Sequence, residues 1–157
     1  MMLVNILKGG YTLDENTIIH KLLEVFEYKN EYQLQTSNIQ PQDMYVLERI
    51  FLNGKMLVKD LSKQYCIPPS TLTGIIDRLE NKKLIERLRT NVDRRAIELI
   101  ATPEGEIAVE KHMKEDKIFS MNFFNALEQE KKKKLKELLE ELLNNVNKDS
   151  LFSHDNE

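Results

Sequence analysis

The spacing of apolar residues predicts a chain that is helical at both ends and changes period in the middle. Before about residue 53 and after about residue 103, apolar residues recur every three or four positions, which is typical of amphipathic helices. Over residues 84–102 the interval shortens to two, most clearly at Ile97, Leu99 and Ala101, which is strand spacing. The pattern predicts a mainly α-helical chain with one small antiparallel β-hairpin.

Ahead of the hairpin, two short apolar stripes indicate a helix-turn-helix. The first helix is predicted over residues 56–65 and the second over residues 69–82, with a turn of about three residues between them. Pro69 suits the first position of the second helix, where a missing backbone N–H costs nothing. Together with the hairpin over residues 84–102, these helices predict a winged helix-turn-helix lobe spanning residues 41–102.

The second helix of such a unit usually meets base edges in the major groove of DNA through its N-terminal residues. The hydroxyl-bearing residues at that end are Ser70, Thr71 and Thr73. We predict that they contact base edges or phosphates. Arg78, further along the same helix, either reaches the DNA backbone or is held by Asp77 or Asp93, and the sequence leaves these alternatives open.

Positive charge is concentrated in this region. Residues 59–95 contain nine Lys and Arg against five Asp and Glu, a net charge of +4, whereas the whole chain carries −3. A basic segment on an acidic protein is the electrostatic footprint of a polyanion partner. An arginine on a thin loop can enter the narrow minor groove of DNA, where the potential is most negative. Arg95, at the hairpin tip, is the leading candidate for this contact, and Arg94 is the second.

The remaining cations of this region are candidates for phosphate contacts. They are Lys82, Lys83, Arg87 and Arg89. For Arg87 and Arg89 the alternative is that they simply lie on the exposed face of a strand. Asp93 is predicted to orient the wing, because a carboxylate facing phosphate would repel it.

These motifs resemble the MarR type of winged-helix transcriptional regulator (multiple antibiotic resistance regulators), and the resemblance covers nearly the whole chain. The matching segments are Asp60-Leu61-Ser62, Ser70-Thr71-Leu72-Thr73, Ile76-Asp77-Arg78-Leu79-Glu80, Leu84-Ile85-Glu86-Arg87, Asp93-Arg94-Arg95 and Thr102-Pro103-Glu104-Gly105. The resemblance implies a sequence-specific DNA-binding regulator, a repressor in many such proteins, that acts on a palindromic operator.

The chain departs from the family pattern at several positions. Cys66 and Lys83 stand where glycine is common, at positions that need a left-handed backbone. Gly74 stands where a longer polar or basic side chain is common, which removes one candidate DNA contact. Leu57 and Pro68 replace polar N-caps. These departures bear on affinity and base preference rather than on the fold.

The two ends of the chain predict a dimer. Residues 12–36 and 103–147 form helices whose apolar faces are wider than one neighbour would cover, and Thr102 can cap the second of these segments. In a single domain of 157 residues little else is left to cover these faces. We therefore expect a homodimer in which helices from both ends interleave about a two-fold axis, as the family resemblance also implies.

Regulation by a small molecule is a further expectation from the resemblance, because such proteins often bind small aromatic ligands. The residues that could line a pocket are Tyr11, His20, Phe26, Tyr45 and Phe51. The alternative for each is ordinary core packing. Cys66 is expected to be a buried, inert thiol rather than a redox sensor. We expect no cofactor and no metal site, since the nearest cluster, around His112, is poorly spaced for ligation.

Other classes of function are disfavoured. The chain has no P-loop, no dinucleotide-binding glycine motif and no nucleophile elbow, so we do not expect an enzyme. No stretch approaches the roughly 20 apolar residues of a membrane span, and a single cysteine suits a reducing compartment. The chain is therefore expected to be cytoplasmic. The rival interpretation is a winged-helix protein-interaction module that does not read DNA.

The wing tip gives the first testable prediction. Arg95→Ala should weaken binding of duplex DNA by roughly 1–3 kcal/mol without unfolding the protein, because one minor-groove contact is lost. Gel-shift titrations at matched salt, with circular dichroism as the control for folding, measure this. An unchanged affinity would contradict it.

Overall fold

The computed structural model describes residues 13–89 and 96–151. Its elements, in chain order, are α1 (Glu15–Ser37), α2 (Pro41–Asn53), β1 (Lys55–Leu57), α3 (Val58–Gln64), α4 (Pro69–Asn81), β2 (Ile85–Arg89), β3 (Ile97–Ala101), α5 (Pro103–Phe124), α6 (Gln129–Asn145) and a short 3₁₀ turn (Lys148–Ser150). The mainly helical fold with a small antiparallel sheet, predicted from the spacing of apolar residues, is confirmed. Within the described ranges, no helix combines the length and the apolarity that crossing a membrane requires.

The chain divides into two compact units, Met1–Glu115 and Asp116–Glu157, with the boundary inside α5. The first unit contains the helix-turn-helix and the sheet. Its hydrophobic core joins α2, α3, α4, the sheet and the start of α5, and its fully buried side chains include Leu47, Ile50, Leu61, Leu72, Ile75, Leu79, Leu99 and Val109. Burial of each such side chain contributes about 1.5–3 kcal/mol. The assignment of residues 12–36 and 103–147 to a dimerisation region remains a prediction.

The sheet has three strands rather than the two of the predicted hairpin, in the order β1-β3-β2. The predicted start of the first helix at residue 56 is wrong, because Lys55–Leu57 pairs with β3 and α3 begins only at Val58. Gly54, at φ +73°, ends α2 and reverses the chain into this strand. Met56 then enters the core opposite Leu99. Backbone pairing with β3 satisfies groups that a helix start would leave open.

Two positions of the helix-turn-helix adopt the left-handed backbone expected from the sequence. Cys66 has φ +53° in the turn between α3 and α4, and Lys83 has φ +59° between α4 and β2. Leu57 and Pro68 are the N-caps of α3 and α4, and neither makes a side-chain capping bond. Both helices therefore rely on tertiary packing more than on capping for their stability.

The start of α5 is joined to the base of the wing through Thr102. Its hydroxyl donates to the carbonyl of Lys83 at 2.7 Å and accepts from the backbone N–H of Gly105 at 3.0 Å. Its backbone N–H donates to the carbonyl of Leu84 at 3.0 Å. The predicted cap at Thr102 is thus confirmed, and the same residue also ties the first turn of α5 to the residues that lead into β2.

Gly105 gives a stability prediction. A Cβ at this position would lie 2.0 Å from the Leu84 carbonyl oxygen, a backbone atom that cannot move away cheaply. Gly105→Ala should therefore lower the free energy of unfolding by about 1–3 kcal/mol or more, as overpacking does, and urea denaturation measures it. Gly74→Ala is the matched control, because a Cβ there meets only Arg78 at 3.4 Å and alanine favours a helix by up to about 1 kcal/mol. Equal stability of the two variants would contradict the close contact at Gly105.

Candidate nucleic-acid interface

Helix α4 presents a polar face because its apolar residues all point the other way. At ~100° per residue, the buried residues Leu72, Ile75, Ile76 and Leu79 share one side. Ser70, Gly74 and Asp77 run along the middle of the opposite side. One edge of that exposed face carries Thr71 and Arg78, and the other carries Thr73 and Glu80.

The three hydroxyl-bearing residues that are predicted to contact DNA all lie at the exposed N-terminal end of α4. Ser70, Thr71 and Thr73 are exposed. Thr73 donates from its hydroxyl to the carbonyl of Pro69 at 2.8 Å. This leaves its oxygen lone pairs open as acceptors. With respect to the described residues, the hydroxyls of Ser70 and Thr71 are available both to donate and to accept. The structure therefore brings together the residues that the sequence proposed for base-edge or phosphate contacts.

Arg78 has a partner that the sequence analysis did not suggest, the carboxylate of Asp43 in the first turn of α2. Arg78 Nε donates to Asp43 Oδ2 at 2.9 Å, and Nη2 donates to Oδ1 at 2.6 Å. Asp43 is fully buried, whereas the side chain of Arg78 is 49% exposed. The hydrogen bonds to Asp43 raise the pKa of the Arg78 guanidinium above its ordinary value. The pair fixes the position of Arg78 and links α2 to α4.

Arg87 of β2 is engaged by two carboxylates of α4. It forms an ion pair with Asp77, and its Nε lies 3.0 Å from Glu80 Oε2. Asp77 therefore pairs with Arg87 rather than with Arg78, which the sequence analysis had offered as an alternative. These carboxylates lie on the exposed side of α4, where a nearby phosphate would be repelled. Arg87 compensates their charge, and the phosphate contact predicted for Arg87 from the sequence stays a prediction.

Of the other candidate cations, Lys82 and Lys83 lie between α4 and β2, and Arg89 is the last residue of β2. Lys82 donates from Nζ to the carbonyl of Asn38 at the end of α1. Lys83 and Arg89 are exposed. The wing-tip residues Asp93, Arg94 and Arg95 lie outside the described residues, so their predicted roles stay predictions.

A groove of about 560 Å³ adjoins this interface and was missed by the sequence analysis. It lies between the helix-turn-helix and the start of β3, and its lining residues are Leu57, Val58, Lys59, Ser62, Pro69, Leu72, Thr73, Ala96 and Ile97. Its walls are mainly apolar. No pattern in the sequence indicated it, because the groove forms only where α3, α4 and the start of β3 come together.

The residues predicted for an effector pocket have separate environments. Tyr45 packs edge-to-face on Tyr65 with ring centroids 6.1 Å apart, and the guanidinium of Arg49 lies 4.6 Å from the Tyr45 ring centroid. Phe51 packs against the core. His20 and Phe26 are exposed residues of α1, and Tyr11 is outside the described residues. A pocket formed by these five residues stays a prediction.

Cys66 is exposed, so the expectation of a buried thiol is wrong. Its left-handed backbone turns the chain so that the following residue, Ile67, enters the core instead. Among the residues that the structure describes, no group of His, Cys, Asp and Glu has the arrangement to hold a metal ion.

Comparisons with known proteins agree with this geometry. The model of the MarR family matches residues 39–97. The chain is 36% identical over 109 residues to the HTH-type transcriptional regulator FarR of Neisseria gonorrhoeae, a match that covers 69% of this chain and 75% of that protein. It is 30% identical over 97 residues to the HTH-type transcriptional repressor MdtR of Bacillus subtilis (strain 168), covering 62% of this chain and 63% of that protein.

A solved structure with the same fold is that of Streptococcus pneumoniae FabT in complex with DNA. Its TM-score is 0.71 at 21% identity, and the match covers 83% of this chain and 96% of that one. At this level of identity the likeness concerns the fold.

The ion pairs of Arg87 generate a prediction about charge at the interface. Arg87→Ala should weaken binding of duplex DNA, because Asp77 and Glu80 then face phosphate without a cation, at about 1 kcal/mol per uncompensated charge at contact distance in water. Fluorescence anisotropy at fixed salt measures the affinity. The free energy of unfolding should fall by less than about 1 kcal/mol, since the pairs are exposed.

The control repeats Arg87→Ala in an Asp77→Asn, Glu80→Gln background. The triple variant should bind at least as tightly as the wild type, because the two carboxylates that repel DNA are gone together with the one cation that compensated them. A folded triple variant that binds more weakly than the wild type would show instead that Arg87 contacts phosphate directly.

Proposed function

The chain belongs to the MarR family of helix-turn-helix regulators, and from this premise we propose that it regulates transcription by binding specific sites on double-stranded DNA as a homodimer. One observation supports the proposal above the others. The N-terminal end of α4 exposes three hydroxyl groups, while the opposite face of the helix is fixed in the core by four buried residues. A rigidly held helix with polar groups at its N-terminal end suits entry into the major groove.

Charge supports the same assignment. The segment from residue 59 to residue 95 carries a net charge of +4, and its exposed cations Lys82 and Lys83 follow the C-terminal end of α4. Phosphate contacts from such residues supply affinity and register, while contacts from α4 supply sequence preference. In the solved structure of FabT with DNA, a protein of the same fold is bound to this kind of partner.

Exposed apolar surface supports the dimer. In the first unit, α1 exposes Ile18, Ile19, Leu23 and Phe26, each by more than 40%. In the second unit, α6 has no buried residue, and it exposes Leu138, Leu142 and Leu143 by more than half. Apolar surface of this kind usually marks an interaction site. A second copy of the chain is the partner we propose for it, with the two α4 helices on one face of the duplex.

Repression and release by an effector are the more detailed parts of the proposal. A relative that shares 30% identity, MdtR, is named a repressor, and a protein seated on an operator can block transcription there. We further propose that a small aromatic ligand favours a DNA-incompetent state. Such a ligand releases DNA only if it binds that state more tightly.

Selection of bound duplexes from a random pool tests the central proposal. The expected result is enrichment of an imperfect palindrome whose half-sites are about 10 base pairs apart, since two α4 helices related by a two-fold axis meet successive major grooves. Affinity for the selected site should fall with salt at a slope of about −0.9 per phosphate neutralised. A pool without enrichment, together with no binding to mixed genomic DNA in an anisotropy titration, would favour a protein-interaction module instead.

A further inference from the structure

Helices α2 and α4 are held together by apolar packing as well as by the pair formed by Asp43 and Arg78. Helix α2 and helix α4 already share apolar contacts in the core through Leu47, Ile50, Ile75 and Leu79, which are fully buried. A buried ion pair adds little stability compared with well-packed apolar residues, because desolvation of the charges offsets their attraction. Stability alone therefore does not explain why the fully buried carboxylate of Asp43 is paired with Arg78 at an exposed edge of α4.

The geometry of the guanidinium supplies that reason. Asp43 accepts hydrogen bonds from Nε and from Nη2. Of the described residues, only Asp43 accepts from Arg78, so Nη1 remains available to donate. A Cβ built on Gly74 would lie 3.4 Å from Nη1, which places this nitrogen directly beside the glycine. Gly74 lies in the middle of the exposed face of α4, so Nη1 is directed over the surface that we propose meets DNA.

Gly74 and Arg78 thus complement each other. Gly74 leaves the centre of the exposed face of α4 without a long side chain. In its place, the guanidinium reaches over from the next turn of the helix, and the missing side chain leaves the space around Nη1 open.

On the basis of the proposed function, we propose that Asp43 is a positioning residue for DNA binding, which holds Arg78 so that Nη1 donates to a DNA phosphate next to Gly74. A phosphate oxygen fits better than a base edge. Bidentate reading of guanine uses two adjacent donors of one arginine. In Arg78, Nε and Nη2 already donate to Asp43. Fixing the side chain in advance reduces the rotamer entropy that would be lost on binding.

The Asp43→Asn variant separates positioning from simple charge. If electrostatics alone mattered, removal of a negative charge and release of an arginine would tighten binding to a polyanion. If Asp43 positions Arg78, binding should weaken by at least about fivefold, the lower end of what one DNA contact contributes. Glu48→Gln is the matched control, because it removes a carboxylate from the same helix without touching Arg78, and its affinity should stay near that of the wild type.

A double-mutant cycle tests the coupling between the two residues. In an Arg78→Ala background, Asp43→Asn should have no further effect on affinity. Arg78→Lys keeps the charge but cannot reproduce the two-point contact with Asp43, so it should weaken binding about as much as Asp43→Asn. The losses should be similar for the selected site and for unrelated duplex, because a phosphate carries no sequence information.

The outcomes are distinguishable. Affinities are measured by anisotropy on the full chain, with thermal melting to confirm folding. A folded Asp43→Asn variant with unchanged or tighter binding would overturn the inference, as would a loss confined to one base position. If Asp43→Asn does not fold, wild-type affinity in Arg78→Lys overturns it. If the wild-type chain binds no duplex at all, the proposed function fails with it.

Discussion

The interface depends on the burial of one side of α4 against α2 and the sheet. Leu72, Ile75 and Leu79 have no exposed surface, and their spacing leaves every polar residue of the helix on the other side. This constraint fixes the rotation of α4 about its own axis. Rotation by a single residue position would turn about 100° of polar surface into the core, which the unpaired hydroxyls and carboxylates would not tolerate.

Around this helix, several cationic side chains are held in ion pairs with carboxylates instead of forming a patch of unpaired positive charge. The exposed side of α4 carries acidic groups as well as hydroxyls, and Arg87 reaches across from β2 to two of these acids. Arg78 is engaged on the opposite edge by Asp43. A count of cations therefore overstates the number available for phosphate. Specific recognition is favoured by such an arrangement, because a surface whose charges are already oriented binds fewer alternative partners.

The local features were predictable from the sequence, and the non-local ones were not. The start of α4 at Pro69 and the cap at Thr102 follow from rules that involve a few neighbouring residues. The left-handed backbone at Cys66 and Lys83 follows from the family resemblance, because glycine is common there. The partner of Arg78 lies 35 positions away, and no local pattern distinguishes Asp43 from other acids. Strand β1 is equally non-local, since three residues without clear alternation become a strand only because β3 lies beside them.

The hydrogen bonds of Thr102 restrict how α5 can move relative to the hairpin. One side chain is bonded both to the carbonyl that follows α4 and to the first turn of α5, and Gly105 has no space to slide past Leu84. The first turn of α5 and the start of β2 therefore move as one rigid body. A movement of this end of α5 would carry the start of β2 with it and would displace the strands that pack beside α4.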